Sequence, residues 1–230
     1  MQMFSFSDKG PRSANQDSYY LNRLDDKLVA CVADGVGGNN AGETASQEAI
    51  SEFVRNITLG DSPTNSLVHA HKHLLELATK EPSLSGMATT FTAIIYDGQR
   101  INGVHCGDSR AYILRGKGLK QLTKDHTEIA KLVAEGKISK EDAALYPRKN
   151  VLASALGTHK PLISQNFTFD IEPKDRLLII SDGIYADLSK KTICTLSIEN
   201  NNLEKFCLSV INEVQRATPK DNYTLIGIEF

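Results

Sequence analysis

Five aspartates of this sequence follow apolar, strand-like runs or lie in the turns beside them. They are Asp17, Asp34, Asp108, Asp182 and Asp221. The clearest is Asp34, which comes just after the apolar run 28–32 and is followed by three glycines in the next four residues. Each aspartate taken alone is also compatible with an ordinary turn, in which the carboxylate bonds its own backbone. The repeated context predicts that the five carboxylates converge on one site.

Carboxylate oxygens are the ligands that Mg²⁺ and Mn²⁺ prefer. Without a cation, neighbouring carboxylates repel one another and their pKa values rise, and a pair of divalent ions removes that repulsion. Two-metal sites hydrolyse phosphate esters by activating water and neutralising the phosphoryl oxygens. The glycine after Asp34, Gly35, lets the backbone approach an ion with its carbonyl. Arg12 lies in the polar loop 10–17 and could hold phosphate with paired N–H donors, although it could equally be a surface arginine beside Asp17.

Hydrophobic periodicity predicts the elements that position these residues. The predicted strands are 3–7, 18–21, 28–32, 89–96, 101–106, 111–114, 165–171, 176–180 and 223–230, and the predicted helices are 41–57, 63–79, 125–135, 139–144 and 203–214. The short connections within 89–114 predict one β meander. Asp125 and Glu128 have the spacing of a capping box at the start of their helix.

The composition fits one globular domain over residues 1–230, with 40% hydrophobic and 23% charged residues. A net charge of −2 favours neither nucleic acid nor an anionic membrane as partner. The sequence shows no signal-peptide pattern and no apolar stretch of membrane-spanning length. Its four cysteines lack CxxC spacing, which predicts reduced thiols and a cytoplasmic location.

Motifs along nearly the whole chain resemble those of one family. They are RSANQD at 12–17, VADGVGG at 32–38, AGE at 41–43, GMATT at 86–90, CGDSRAY at 106–112, LTKDHT at 122–127, the segment 133–157, SDGIYADLS at 181–189 and DNYTLIGIEF at 221–230. In this order and spacing they resemble the bacterial branch of the metal-dependent Ser/Thr protein phosphatases, the PPM family of type 2C.

The resemblance implies an α+β fold, a four-layer αββα sandwich of two antiparallel sheets flanked by helices, with a flap at about 136–162. It implies hydrolysis of phosphoserine and phosphothreonine in proteins by metal-activated water, in opposition to a bacterial Ser/Thr kinase. It also implies two Mn²⁺ or Mg²⁺ ions, with a third in some bacterial members. We expect a monomer whose partners are phosphorylated proteins.

The resemblance also implies a role for each site residue. Asp34 would bridge both metals and the carbonyl of Gly35 would join the second, while Asp182 and Asp221 would complete the first. Asp17 would hold metal-bound waters or bind directly. Asp108 would be the ligand of a third metal. Arg12 would bind the substrate phosphate.

Several positions depart from the family pattern or leave a role open, among them Asn39 and Asn40, where bacterial relatives often have histidine. Val36 replaces the histidine proposed as leaving-group acid in eukaryotic members, so that role is unassigned. Gln16 replaces an acidic residue of some members, which would weaken the second metal. Ser154 stands where relatives often have arginine, which puts flap contacts to the substrate in doubt. His126 is interpreted as a structural residue rather than a catalyst.

Two other functions stay open from the sequence. One is a non-catalytic phospho-binding or regulatory module on the same fold, which would be expected to have lost metal ligands. The other is a hydrolase of small phosphate esters or nucleotides. No cysteine nucleophile with an adjacent arginine motif is present in the sequence, which argues against a thiol-based phosphatase.

Overall fold

A computed structural model describes residues 1–37, 41–143, 145–148 and 150–230, and for Lys140 the backbone alone. Gly38, the last glycine after Asp34, lies outside the described residues, as do Asn39 and Asn40. Residues 144 and 149 of the predicted flap also lie outside them.

The strands form two antiparallel sheets. They are β1 (Gln2–Asp8), β2 (Asp17–Leu24), β3 (Lys27–Val36), β4 (Ala88–Thr89), β5 (Phe91–Tyr96), β6 (Arg100–Cys106), β7 (Arg110–Arg115), β8 (Gly118–Gln121), β9 (Gln165–Asp170), β10 (Arg176–Ile180) and β11 (Tyr223–Glu229). The first sheet has the order β1-β11-β10-β7-β8. The second has the order β2-β3-β5-β6-β9, and the short β4 pairs with the end of β3.

The helices cover the sheets or lie in the connections between strands. They are α1 (Ala41–Thr58), α2 (Pro63–Lys80), α3 (Glu128–Ala134), α4 (Lys140–Ala143), α5 (Asp182–Tyr185), α6 (Lys190–Glu199) and α7 (Leu203–Arg216). Helices α1 and α2 cover the second sheet, and α7 packs on β1 and β11 of the first. The short α3 and α4 belong to the segment between β8 and β9.

Three apolar cores separate the four layers, and strand β3 shows how alternation builds them. Val29, Cys31 and Ala33 point into the core shared with α1 and α2. Leu28, Ala30 and Val32 point the other way, into the core between the two sheets. A third core packs α5, α6 and α7 against the first sheet. Because successive strand residues face opposite sides, a fully apolar strand predicts a sheet covered on both faces, as found here.

The predicted β meander over 89–114 is wrong at one connection. β5 and β6 pair in the second sheet, but β7 pairs with β10 and β8 in the first. The chain therefore crosses between the sheets at residues 107–109. A tight turn has the same sequence pattern whether it joins two neighbouring strands of one sheet or connects strands of two different sheets. Here the connection between the sheets places Asp108 at the end of the sandwich.

The predicted capping box at Asp125 is also wrong. Helix α3 begins at Glu128, and its N-cap is Thr127, whose side chain accepts a hydrogen bond from Ala130 N. The Asp125 carboxylate instead forms a paired contact with the guanidinium of Arg110, with Arg110 Nη2 2.6 Å from Asp125 Oδ2. The Asp125 side chain therefore takes part in a partly buried ion pair and does not cap the helix.

Sequence periodicity also missed β8 and α6. Strand β8 alternates half-buried and exposed residues over only four positions, and α6 buries one residue fully, Ile193. No helix in the described ranges is long and apolar enough to cross a membrane.

Candidate active site and metal centre

Asp34 lies at the end of β3, directly opposite Asp17 in the ladder with β2. Thr90 holds the Asp34 backbone on its other side: Asp34 N donates to Thr90 Oγ1 at 3.0 Å, and Thr90 N donates to Asp34 O at 2.9 Å. Strand β2 on one side and Thr90, between β4 and β5, on the other therefore fix the position of Asp34. Since Asp17 and Asp34 form one cross-strand pair, two like charges meet at the same end of the sheet.

Asp17 is the most enclosed of the five carboxylates, with 6% of its surface exposed. Its Oδ2 accepts a hydrogen bond of 2.7 Å from Ser181 Oγ. Its Oδ1 is buried and has no hydrogen-bond partner in the described part of the chain. Burial raises the pKa of Asp17 to about 7, against the effect of the hydrogen bond from Ser181. A buried acceptor without a donor destabilises the folded protein. This oxygen is therefore available to bind a water or a cation.

Asp182 opens the single turn α5, directly after the apolar strand β10. The turn packs so closely on the next strand that only glycine fits at position 183. A Cβ there would lie 2.0 Å from the carbonyl oxygen of Asn222. The glycine of the Asp-Gly pair therefore lets the Asp182 turn and the Asp221 turn touch.

Asp221 shares its carboxylate between its own turn and the arginine loop. Asp221 Oδ1 accepts from Asn222 N at 2.9 Å, and Arg12 Nη2 donates to Asp221 Oδ2 at 2.7 Å. The Asn222 side chain binds the loop itself: its Nδ2 donates to Lys9 O and Ala14 O at 2.7 and 2.9 Å. The structure thus brings Arg12 to the carboxylates, as predicted.

Asp108 lies on the crossover between the sheets, with 7% of its surface exposed. Gly107 before it has φ +107°, and a Cβ there would lie 2.6 Å from Cβ of Thr90. The Ser109 hydroxyl is 2.8 Å from Thr90 Oγ1. Thr90, which holds Asp34, therefore also packs against the crossover. Burial, together with the charge of the nearby Asp182, raises the pKa of Asp108 to about 7.

The five carboxylates act on one another electrostatically. Burial raises the pKa of Asp34 well above its ordinary value, and the charges of the other four raise it further. The pKa of Asp182 is raised by burial and by the charge of Asp221.

A cleft of about 1350 Å³ opens onto this cluster. Four of the carboxylates line it, together with Arg12 and Gly35: Asp34, Asp108, Asp182 and Asp221. Asp17, the first residue of β2, lines a separate, smaller groove of about 570 Å³. The structure therefore places all the predicted site residues at one end of the sandwich.

These donors fit hard divalent cations. They are carboxylate oxygens, and burial together with the neighbouring charges raises the pKa values of Asp17, Asp34, Asp108 and Asp182. One of these oxygens, Asp17 Oδ1, is buried and has no donor among the described residues. Within the described ranges, however, no three His, Cys, Asp or Glu side chains are already grouped tightly enough to hold one ion. The site is a ring of carboxylates from separate segments rather than a finished coordination shell.

The positions that depart from the family pattern have different surroundings. Val36 is 45% exposed at the cleft, where it offers no proton. Gln16 donates from Nε2 to Gly37 O at 3.2 Å. Ser154 is buried, and its hydroxyl accepts from Ile163 N at 2.9 Å, so it puts no charge into the cleft. His126 Nδ1 accepts from Gly107 N at 3.3 Å, which agrees with a structural role behind Asp108.

Sequence reasoning missed several residues that support the carboxylates. Thr90, Ser181 and Asn222 each hold a site residue or its loop through a side-chain hydrogen bond. The available signal was a polar residue beside an apolar strand and next to a candidate ligand. That signal is weak, because serine, threonine and asparagine are common turn residues.

The family model for protein phosphatase 2C matches residues 10–206. This chain belongs to the protein phosphatase 2C family. The resemblance found in the motifs is thereby confirmed, and the matched range contains every predicted site residue except Asp221.

Two curated members of the protein phosphatase 2C family illustrate the relationship. Serine/threonine protein phosphatase PstP of Mycobacterium tuberculosis is 34% identical over 231 residues, which cover 96% of this chain and 43% of PstP. Serine/threonine phosphatase stp of Listeria welshimeri is 31% identical over 89% of this chain and 85% of its own length. This chain thus spans less than half of PstP but most of the Listeria protein.

Solved structures of PstP share the fold. One from M. tuberculosis has a TM-score of 0.87 and 31% identity, covering 98% of this chain and 97% of that chain. A PstP catalytic domain in complex with two manganese ions has a TM-score of 0.84 and 30% identity, covering 98% and 96%. The predicted αββα sandwich is confirmed.

Proposed function

We propose that this protein is a metal-dependent phosphatase that hydrolyses phosphoserine and phosphothreonine in proteins. The observation that carries the proposal is the cluster of five aspartates at the end of the sandwich, with Arg12 among them; the pKa values of Asp17, Asp34, Asp108 and Asp182 are raised. Family membership and the names of the relatives support the same activity.

Each side chain has a distinct task in this proposal. Asp34, Asp182 and Asp221 would hold two cations together with the carbonyl of Gly35, and Asp17 would hold metal-bound waters or bind directly. Asp108 would hold a third cation. Bound Mn²⁺ or Mg²⁺ would supply charge stabilisation and lower the pKa of water, the chemistry of two-metal phosphoesterases.

Substrate binding falls to Arg12 and the open cleft. The guanidinium is 56% exposed and can turn its remaining donors toward a phosphate. Pockets for small ligands measure about 300–1,000 Å³. This cleft, at about 1350 Å³, is larger, which favours a polypeptide over a small phosphate ester.

The cellular setting is part of the proposal. We expect the protein to oppose a bacterial Ser/Thr kinase, as a monomer. All four cysteines are free, which suits the reducing cytoplasm.

Release of phosphate from a phosphothreonine peptide tests the activity. The protein should be active with Mn²⁺ and inactive with EDTA, and Asp34→Ala or Asp182→Ala should abolish turnover. Asp170→Ala is the matched control, because Asp170 is an exposed aspartate at the end of β9, 82% exposed.

Other results point to the alternative functions. A wild-type protein that binds Mn²⁺ and phosphopeptide without turnover would be a phospho-binding module. Turnover of nucleotides or small esters with none of phosphopeptides would identify a small-ester hydrolase.

A further inference from the structure

The flap forms one wall of the cleft, and a histidine of helix α2 holds the end of that wall. Residues 150–155, 158 and 160 line the cleft. Within this stretch, Gly157 N donates a hydrogen bond to His71 Nδ1 at 3.2 Å, across 86 residues of sequence. His71 lies on α2, which covers the second sheet, and it belongs to no role assigned above. The bond therefore connects the cleft wall with a helix outside the carboxylate site.

Gly157 is also a point of close packing between the flap and the rest of the protein. Its φ is +83°, and a Cβ there would lie 2.6 Å from Met87 O and 3.3 Å from Cβ of Leu74. Leu74 is a buried residue of α2, three positions after His71, and Met87 directly precedes β4. The flap end, defined here as residues 155–158, therefore packs between α2 and β4, where the bond to His71 holds it.

Leu156 extends this contact to the backbone of Asp34. Leu156 and Thr89 form an isolated bridge, in which Thr89 N donates to Leu156 O at 3.1 Å and Leu156 N donates to Thr89 O at 2.9 Å. Thr89 Oγ1 in turn donates to Asp34 O at 3.0 Å. Successive hydrogen bonds thus run from His71 through the flap end to Asp34. The position of the cleft wall relative to the carboxylates depends on them.

The hydrogen bond to His71 requires a neutral imidazole. A backbone N–H can only donate, so Nδ1 must accept, and an imidazolium has no acceptor nitrogen. Burial lowers the pKa of His71, and the nearby His159 of the flap and Lys72 of α2 lower it further. Glu48 of α1 pairs instead with His73, at 2.8 Å. The acceptor form is therefore present at neutral pH, and acid removes it.

We propose that His71 is a positioning residue for the substrate-binding wall, which it holds as a neutral imidazole and releases when it is protonated. The inference rests on the proposed function, because it takes the cleft as the substrate site. Thr158 and Lys160 follow the held Gly157 and line the cleft, so release moves a hydroxyl and an ammonium group away from a bound phosphopeptide. Substrate affinity should therefore fall while the metal site stays intact.

Steady-state kinetics on a phosphothreonine peptide with Mn²⁺ test the proposal. His71→Leu removes the acceptor and should raise KM by about 2- to 10-fold at pH 8, with kcat and Mn²⁺ affinity unchanged. His71→Asn should keep the wild-type KM, because its amide oxygen can accept from Gly157 N. His69→Asn is the matched control, because His69 is a half-exposed histidine of the same helix, 3.7 Å from Asp61, and its KM should equal that of the wild type.

The pH dependence separates positioning from a general loss of stability. As the pH falls from 8 toward 5, the KM of the wild type should rise more than that of His71→Asn, which gains no proton at this position. The substrate phosphate also titrates near about pH 6, but it does so equally with both proteins. The ratio of the two KM values therefore reports His71 alone and should increase with acid. A merely structural histidine would change the melting temperature and leave this ratio constant.

Amide hydrogen exchange at residues 156–157 gives a second measurement that needs no turnover. Exchange there should be faster in His71→Leu than in the wild type and unchanged in His71→Asn. Wild-type exchange in His71→Leu, or a KM ratio that does not vary with pH, would overturn the inference while the phosphatase activity stands. A wild-type protein that releases no phosphate from any phosphopeptide with Mn²⁺ would instead remove the proposed function, and the inference with it.

Discussion

Arg12 donates a hydrogen bond to Asp221, with 2.7 Å between Nη2 and Oδ2, so the predicted phosphate-binding cation rests on a predicted metal ligand. Both side chains are largely exposed, at 56% and 43%, and exposed ion pairs add little stability. A cation bound by Asp221 would compete with the guanidinium and free it to face the substrate. The pair therefore relates metal binding to substrate binding.

Arg12→Ala should weaken substrate use and spare metal binding. Loss of a charge-assisted hydrogen bond costs about 1.5–3 kcal/mol, so kcat/KM for a phosphopeptide should fall about 10- to 150-fold. Mn²⁺ affinity should stay equal or increase, because a competing cation is gone. Steady-state kinetics and calorimetry measure the two effects. Arg100→Ala is the control, because it breaks another exposed ion pair, the one with Asp170 at 3.1 Å. Loss of Mn²⁺ binding in Arg12→Ala would refute this division of roles.

Asn222→Asp should loosen the loop that carries Arg12. The aspartate can still accept from Gln16 N, but it cannot donate to Lys9 O and Ala14 O. Each buried acceptor left without a donor costs about 1–3 kcal/mol. We expect a lower melting temperature and a higher KM for the phosphopeptide. Asn22→Asp is the control, since Asn22 is exposed and its side chain accepts a hydrogen bond from Arg23 N, which an aspartate can also do. Equal melting temperatures and equal KM values for the two variants would contradict the prediction.

Gly183→Ala should separate the Asp182 turn from the Asp221 turn. The added Cβ would lie 2.0 Å from Asn222 O, so the backbone must move. Overpacking of this kind costs about 1–3 kcal/mol, which lowers the melting temperature by about 2–4 °C per kcal/mol in a protein of this size. Activity should be lost as well. Gly118→Ala is the control, because its added Cβ would lie 3.4 Å from Arg115 O, an ordinary contact distance, and this variant should have the melting temperature of the wild type. A Gly183→Ala protein with an unchanged melting temperature would disprove the packing argument.

Without metal, stability should fall as the pH rises from about 4 to 7. Asp17 and Asp108 have pKa values raised to about 7 in the folded protein, from 3.8. In this range the folded state keeps protons that the unfolded state has released, so raising the pH favours unfolding. Melting curves in EDTA at pH 5 and pH 8 measure the effect, and Mn²⁺ at pH 8 should restore stability by binding the folded state.

The buried His105 acts in the opposite direction. Burial lowers its pKa to about 3, so the unfolded protein takes up a proton on this residue below about pH 6.5, which favours unfolding there. Comparison with Asp17→Asn isolates the carboxylates, because the variant keeps His105. The variant should lose less stability between pH 5 and pH 8 than the wild type, and parallel curves would exclude Asp17 as a source of the effect.

Local patterns were enough to single out two of the candidate ligands. Asp34 and Asp182 each come soon after an apolar run and directly precede glycine, an arrangement visible in a short stretch of sequence. The core positions of β3 follow from the same periodicity, because a strand alternates its side chains between two faces. The ordered motifs added the family and the four-layer fold.

Contacts between distant segments could be found only in the tertiary structure. The bond from Ser181 to Asp17 spans 164 residues, and the pair of Arg12 and Asp221 spans 209. The crossover at Asp108 and the pairing of Asp125 with Arg110 contradicted the local patterns. Periodicity reports which face of an element is buried, but not which sheet a strand joins or which charge a side chain meets. Those choices depend on the packing of the whole chain, and they decide how the carboxylates surround one cleft.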